Sequence, residues 1–235
     1  GEGVAGTGTT TTAVGNVGVG WVALQDLTTG SENIAIGAAT GHEITTGNEN
    51  ILIGSNAGGT MTTQDEMVLI GHQAGDAIND DTADGTVAIG HNALTALTSG
   101  AGNVAIGYAV GDELTIGYGN VLVGYNALGV ADGEEDNCVV IGYGAGSAIN
   151  HSSTSGNVII GSHAAVGGTG YIARSVIVGD DALVDLNSRN SINNTFVGSE
   201  SAGGTWAGDG TENTVVGYQA FKGAVNGANY NTILG

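Results

Sequence analysis

Acidic residues and histidines are the side chains of this sequence that could do chemistry. The acidic residues concentrate in the segments between Gly71 and Gly161, where carboxylates could bind a hard cation such as calcium. No EF-hand spacing and no calcium-roll repeat is present, and the five histidines lack the spacing of metal ligands. We expect no catalytic residue, no metal ligand and no cofactor, with calcium in the acidic loops as the one alternative.

Charge limits the partners that the chain could bind. Three basic residues against 23 acidic ones give a formal net charge of -20. Such a surface repels phosphate backbones and anionic lipids, so we expect no nucleic acid partner. No apolar stretch approaches the ~20 residues of a membrane span, and we expect no membrane insertion. The single cysteine, Cys138, excludes a disulfide within the chain.

A glycine that closes a short apolar run returns along the whole chain and defines the repeat. Its steps are 17 to 19 residues, and such an anchored period indicates stacked coils. The anchors are Gly20, Gly37, Gly54, Gly71, Gly90, Gly107, Gly124, Gly142, Gly161, Gly179, Gly198, Gly217 and Gly235.

The apolar runs before the anchors predict short β-strands. Runs such as Ile51-Leu52-Ile53 are β-branched or aliphatic throughout and stop at glycine. Successive strand residues point to opposite faces, so both faces are apolar. We expect one row to fill the coil and the other, the middle row, to be covered by sister copies. The middle row is Ala35, Leu52, Leu69, Ala88, Leu122, Val140, Ile159, Ile177 and Phe196.

These patterns predict an all-β fold, a β-solenoid or β-roll of about 13 coils of 17 to 19 residues. Residues 16–235 form a single continuous repeat domain in this interpretation, and residues 1–15 are an incomplete entry coil or a linker. The doubly apolar strands indicate an intertwined or side-by-side homotrimer.

Asparagine recurs near the start of the repeat, four residues before the anchor. A stacked column of carboxamides can hydrogen-bond from coil to coil, so we predict an asparagine ladder. Asparagine as a turn former is the alternative, because it tolerates a left-handed backbone. The ladder residues are Asn16, Asn33, Asn50, Asn103, Asn120, Asn157, Asn194, Asn213 and Asn231.

Rings recur directly after the anchor. Rings repeating at the ~4.8 Å spacing of strands can stack, so the column predicts an aromatic ladder that stabilises the coils. The alternative is a ligand-facing strip that binds a sugar or a surface. The column is Trp21, His72, His91, Tyr108, Tyr125, Tyr143 and Tyr218.

The segments 103–108, Asn-Val-Ala-Ile-Gly-Tyr, and 120–128, Asn-Val-Leu-Val-Gly-Tyr-Asn-Ala-Leu, resemble the repeats of phage tail fibres and the head repeats of trimeric autotransporter adhesins. The resemblance implies a homotrimeric β-roll on a virion or cell surface that serves attachment. It also implies an extracellular or virion-surface location, further fibre segments joined end to end, and cell-surface glycan as a candidate receptor.

Three functions remain open on the sequence. The first is a structural fibre segment that contributes to a rigid trimeric shaft or head for host or surface attachment. The second is a polysaccharide-degrading, tailspike-like β-helix, although the acidic residues lie in variable spacers rather than at fixed inward positions. The third is an ice-binding or mineral-binding solenoid, because Thr45, Thr62 and Thr98 begin a threonine column.

Overall fold

The expected all-β solenoid is confirmed in a computed structural model of the chain. The structure describes residues 12–130, 135–147, 149, 154–166, 170–184, 190–204, 208–222 and 227–235, so most of the predicted entry segment and part of the acidic stretch lie outside it. Two compact units divide the chain, residues 1–119 and 120–235.

The first unit is a stack of parallel strands with one strand per repeat. Neighbouring strands pair 17 or 19 residues apart, for example Ile51 with Val68 and Val68 with Val87. A short 3-10 helix, Asp81–Ala83, lies in the longer spacer. The strands are β1 (Val17–Val19), β2 (Ile34–Ile36), β3 (Ile51–Ile53), β4 (Val68–Ile70), β5 (Val87–Ile89) and β6 (Val104–Ile106).

The second unit repeats this arrangement and adds a second, smaller sheet. Its main parallel stack contains β7 (Val121–Val123), β8 (Val139–Ile141), β9 (Val158–Ile160), β11 (Val176–Val178), β13 (Thr195–Val197), β15 (Thr214–Val216) and β16 (Thr232–Leu234). The smaller parallel sheet contains β10 (Ile172–Ala173), β12 (Ser191–Ile192) and β14 (Gly210–Thr211).

Backbone hydrogen bonds join each coil to the coils on either side. At β3, the Ile51 N–H donates to the Met67 carbonyl of one neighbour at 2.8 Å, and the Gly54 N–H donates to the Ile36 carbonyl of the other at 2.8 Å. Three-residue strands suffice because the turns between them are bonded in the same way, as the Gly58 N–H is to the Ala74 carbonyl.

The middle residue of each strand faces the core, and our expectation for this row was wrong. Ala35, Leu52, Val140 and Phe196 have no exposed surface. The first and third residues of the strands point outward instead. These two flanking rows form the side of the sheet that faces solvent.

The core is completed by small residues three positions after the anchors. Ala57, Ala74 and Ala93 are fully buried, and Leu94 follows Ala93 into the interior. Because the turn chain is bonded to both neighbouring coils, a larger side chain at the alanine positions would force the coils apart.

The anchor position accepts only glycine for two independent reasons. Gly37 has a φ of 141°, which L side chains rarely adopt. A Cβ atom built on Gly37 would lie 2.6 Å from the carbonyl oxygen of Gly54, the anchor of the next coil, and 2.7 Å from the Thr40 hydroxyl. The same crowding against the next anchor recurs along both units.

Within the residues that the structure describes, no helix is long and apolar enough to cross a lipid bilayer.

We predict that Gly37→Ala lowers the free energy of unfolding by about 3 kcal/mol or more, because it adds backbone strain and a backbone clash together. Gly102→Ala is the matched control. Gly102 also has a positive φ, 68°, but a Cβ there would meet no atom within 4 Å, so a loss of about 1–2 kcal/mol is expected. Urea unfolding followed by circular dichroism measures both, and equal losses would contradict the crowding argument.

Candidate functional site

The asparagine column of the first unit is a hydrogen-bonded ladder. The Asn33 carboxamide donates to Asn16 Oδ1 at 3.0 Å, and the Asn50 carboxamide donates to Asn33 Oδ1 at 2.9 Å. Each side chain also donates to the backbone of the next coil, as Asn50 does to the Gln64 carbonyl at 2.8 Å. The Met67 N–H donates to Asn50 Oδ1 where the ladder reaches a coil without asparagine.

The second unit carries a ladder of the same kind. Asn213 donates to Asn194 Oδ1 at 2.9 Å, and Asn231 donates to Asn213 Oδ1 at 2.9 Å. Cys138 and Ser175 replace asparagine in two coils, and their N–H groups still donate to the asparagine of the preceding coil. Asn103, Asn120 and Asn157 are buried and each donates to a backbone carbonyl of a neighbouring coil.

A second polar ladder, two residues before the asparagine column, was not expected from the sequence. The N–H groups of Ser31, Asn48 and Asp65 each donate to the side-chain oxygen one coil further on, namely Asn48 Oδ1 at 2.9 Å, Asp65 Oδ1 at 2.6 Å and Asp84 Oδ1 at 2.9 Å. Three short polar residues at intervals of 17 residues were the available signal. These carboxylates therefore bind backbone rather than forming a reactive pair.

In the acidic turn around the 3-10 helix, the pKa values of two carboxyl groups shift in opposite directions. Partial burial raises the pKa of the Asp84 carboxyl, and the charges of Asp65 and Asp81 add to the rise, while the hydrogen bond from the Asp65 N–H opposes it. Hydrogen bonds from the N–H and hydroxyl of Thr82 lower the pKa of the Asp80 carboxyl. Among the described residues, no group of three or more histidine, cysteine or acidic side chains could hold a metal ion.

The ring column is stacked within the first unit. The ring centroids of His72 and His91 are 5.0 Å apart at an interplanar angle of 16°, and those of His91 and Tyr108 are 5.0 Å apart at 10°. All three side chains are exposed to solvent. The stack therefore lies on the surface, with both faces of His91 covered by neighbouring rings.

The second unit stacks Tyr125 on Tyr143 at 5.2 Å and 12°. His163, which lies two residues after its anchor and therefore off the predicted column, forms a T-shaped contact with Tyr143 at 5.2 Å and 79°. Trp21 and Tyr218 lie at column positions next to coils that carry Ala38 and Ser199 there, and both rings are exposed.

The outward face of each strand stack is an aliphatic surface. It is formed by the first and third residues of the strands, several of which are more than a third exposed. The most exposed members are Val17, Val19, Ile36, Ile51 and Ile106 in the first unit and Val121, Val176, Val216 and Leu234 in the second. We call this the outer aliphatic face.

Comparison with known proteins finds no matching family model, no matching curated protein and no matching solved structure. The function must therefore be argued from these surfaces.

We predict that Asn50→Ala lowers the free energy of unfolding by about 2–4 kcal/mol, because it leaves the buried Met67 N–H and Gln64 carbonyl without their partner. Asn48→Ala, in the same coil but half-buried, is the control. Water replaces its lost partners, so a loss of about 1 kcal/mol is expected. An equal loss of unfolding free energy for Asn48→Ala and Asn50→Ala would show that the buried asparagine ladder stabilises the fold no more than a half-buried hydrogen bond does.

The raised pKa of Asp84 predicts a stability that depends on pH. Ionising this carboxyl disfavours the folded state at neutral pH, and the penalty disappears as the pH falls below the ordinary carboxyl range. Asp84→Asn keeps the acceptor oxygen for the Asp65 N–H. It should raise the melting temperature by about 1–2 °C at neutral pH and leave it unchanged near pH 3. Asp80→Asn, where the pKa is lowered, should give no gain at neutral pH; scanning calorimetry of both variants decides.

Proposed function

We propose that the chain is a structural fibre segment that assembles as a homotrimer and contributes to a rigid shaft or head for attachment to a host or another surface. The observation that carries this proposal is the outer aliphatic face. At least one aliphatic residue of this face is partly or fully exposed in every three-residue strand that the structure describes, whereas single exposed apolar residues are ordinary and call for no partner.

A copy of the same chain is the partner that fits this face best. Its own aliphatic rows carry the same repeat, so copies aligned side by side cover every coil at once, as the heterologous interfaces of a closed cyclic trimer do. The interior supports the assignment, because the middle row is already fully covered and only the flanking rows lack cover. The charge of -20 on each copy opposes assembly, and added salt should favour it by screening.

The contacts of the threonine column argue against binding to ice. The hydroxyls of Thr28, Thr45 and Thr98 each donate to a backbone carbonyl of the next coil, at 2.8, 3.1 and 3.0 Å. A hydroxyl that donates within the solenoid is not free to donate to a water lattice. The column thus serves the coil stack, as the asparagine ladder does.

A polysaccharide-cleaving activity also finds little support in the acidic residues. Asp65 and Asp84 each accept a backbone N–H of the preceding coil, and Asp80 accepts the N–H of Thr82. These carboxylates therefore act as hydrogen-bond acceptors within turns and ladders. The proposal therefore assigns the chain no enzymatic activity and no cofactor, and places it outside the cell or on a virion.

Sedimentation velocity of the chain and of the Ile36→Asp/Ile51→Asp variant tests the proposal. The unaltered chain should sediment as a trimer, and the variant should dissociate while keeping its circular dichroism spectrum, because both side chains point outward and are exposed.

Thr29→Asp/Thr46→Asp adds the same two charges at exposed turn residues of neighbouring coils in the same region and should leave the trimer intact. A monomeric unaltered chain at micromolar concentration, or a double variant that remains trimeric, would overturn the proposal.

A further inference from the structure

The ring column offers a chemistry that the fibre scaffold does not require. Stability alone would be served by rings packed against the body, yet Tyr108, Tyr125 and Tyr143 are 48%, 50% and 55% exposed. We propose that the ring column of each unit binds a neutral, linear β-1,4-linked glycan that lies along the column with one sugar per coil. This inference rests on the proposed attachment function, for which it names the ligand.

The stacking geometry decides which part of each ring can contact a ligand. His91 lies between His72 and Tyr108 at 5.0 Å from each, and Tyr143 lies between Tyr125 and His163 at 5.2 Å from each. Sugars cannot stack on the faces of these central rings, because other rings cover them. The edges remain, with imidazole nitrogens and a phenol hydroxyl that can donate and accept hydrogen bonds.

The position after three of the stacked rings carries a carboxamide. Gln73 follows His72, Asn92 follows His91 and Asn126 follows Tyr125, and all three side chains are half-buried. Hydrogen bonds to the preceding coil hold the Gln73 and Asn92 backbones in place, at 3.0 and 2.9 Å. The coils of His72, His91 and Tyr125 thus combine a ring edge with a neighbouring amide, whereas Ala109 and Gly144 follow Tyr108 and Tyr143. Ring edges with neighbouring amides suit a ligand rich in hydroxyl groups.

The spacing of the column selects the linkage. An extended β-1,4-linked glycan is a flat ribbon that advances by nearly the ring spacing of 5.0 to 5.2 Å per sugar. Successive sugars therefore lie on successive coils. Because each sugar of the ribbon is turned over relative to the last, every second sugar presents the same edge to the column, and the weak contacts combine along the chain. An α-1,4-linked glycan of the same sugar coils and loses this match after one or two units.

Charge selects among glycans with this linkage. The described column contains no lysine or arginine, His163 lies 4.0 Å from the Asp181 carboxylate, and the chain carries a net charge of -20. Acidic polysaccharides are repelled by such a surface. Neutral glucans and N-acetylated glucosamine polymers share the chemistry that remains.

Isothermal titration of the full chain with cellohexaose, chitohexaose and maltohexaose tests the inference. At least one of the β-1,4-linked hexaoses should bind about tenfold more tightly than maltohexaose and than its own disaccharide. The two β-1,4-linked arms distinguish the glucan from the N-acetylated polymer. Lack of binding by both, or equal binding of maltohexaose, would overturn the inference.

His91→Ser/Tyr143→Ser removes the central ring of each stack and should weaken binding about tenfold or more. The fold tolerates this change, because Ser55, Ser162 and Ser199 occupy the same position in other coils. His42→Ser/Tyr118→Ser removes a histidine and an exposed tyrosine outside the column and should leave binding unchanged. Unchanged binding by the column variant would overturn the site.

Sedimentation of the same samples separates this inference from the proposed function. A trimer that binds no hexaose refutes the glycan site alone, whereas a monomer that binds one refutes the fibre assembly alone.

Discussion

The closeness of successive coils is the constraint on which the rest of the structure depends. At the anchor, each coil runs so near the next that Gly37 has room for a hydrogen and for nothing larger. This approach lets strands of only three residues bond to neighbours on both sides. It also places equivalent residues of successive coils in columns, so a single asparagine per repeat becomes a ladder and a single ring becomes a stack.

Much of the fold could be predicted from the anchors alone. The glycine steps of 17, 17, 17, 19 and 17 residues from Gly20 to Gly107 equal the register of the strand pairs from β1 to β6. Which face of each strand points to the core could not be predicted, because all three residues of a run are apolar and neither face is marked as the inner one.

The columns differ in how much of them the sequence reveals. The ring and asparagine columns repeat one residue type, and both are visible as patterns. The ladder of Ser31, Asn48, Asp65 and Asp84 changes residue at each step and lengthens by two residues at the last. Glu32, Glu49 and Glu66 adopt positive φ values of 61°, 59° and 60°. Glutamate does not predict such a backbone, and the signal in the sequence is the glycine at the same repeat position of later coils.

The side chains of the repeat serve different roles according to where they lie. Polar ladders and threonine hydroxyls bond the coils to one another, the outer aliphatic face is the surface on which we propose that copies of the chain assemble, and the ring column is where we propose that a glycan binds. The most direct test of the central claim is the rate at which a thiol reagent modifies Ile51→Cys, on the outer aliphatic face, compared with Ile116→Cys, which replaces an exposed isoleucine outside the strands; the one native cysteine, Cys138, is buried. We expect the thiol reagent to modify Ile51→Cys slowly and Ile116→Cys fast. Equally fast modification of both variants would show that no sister copy covers the outer aliphatic face.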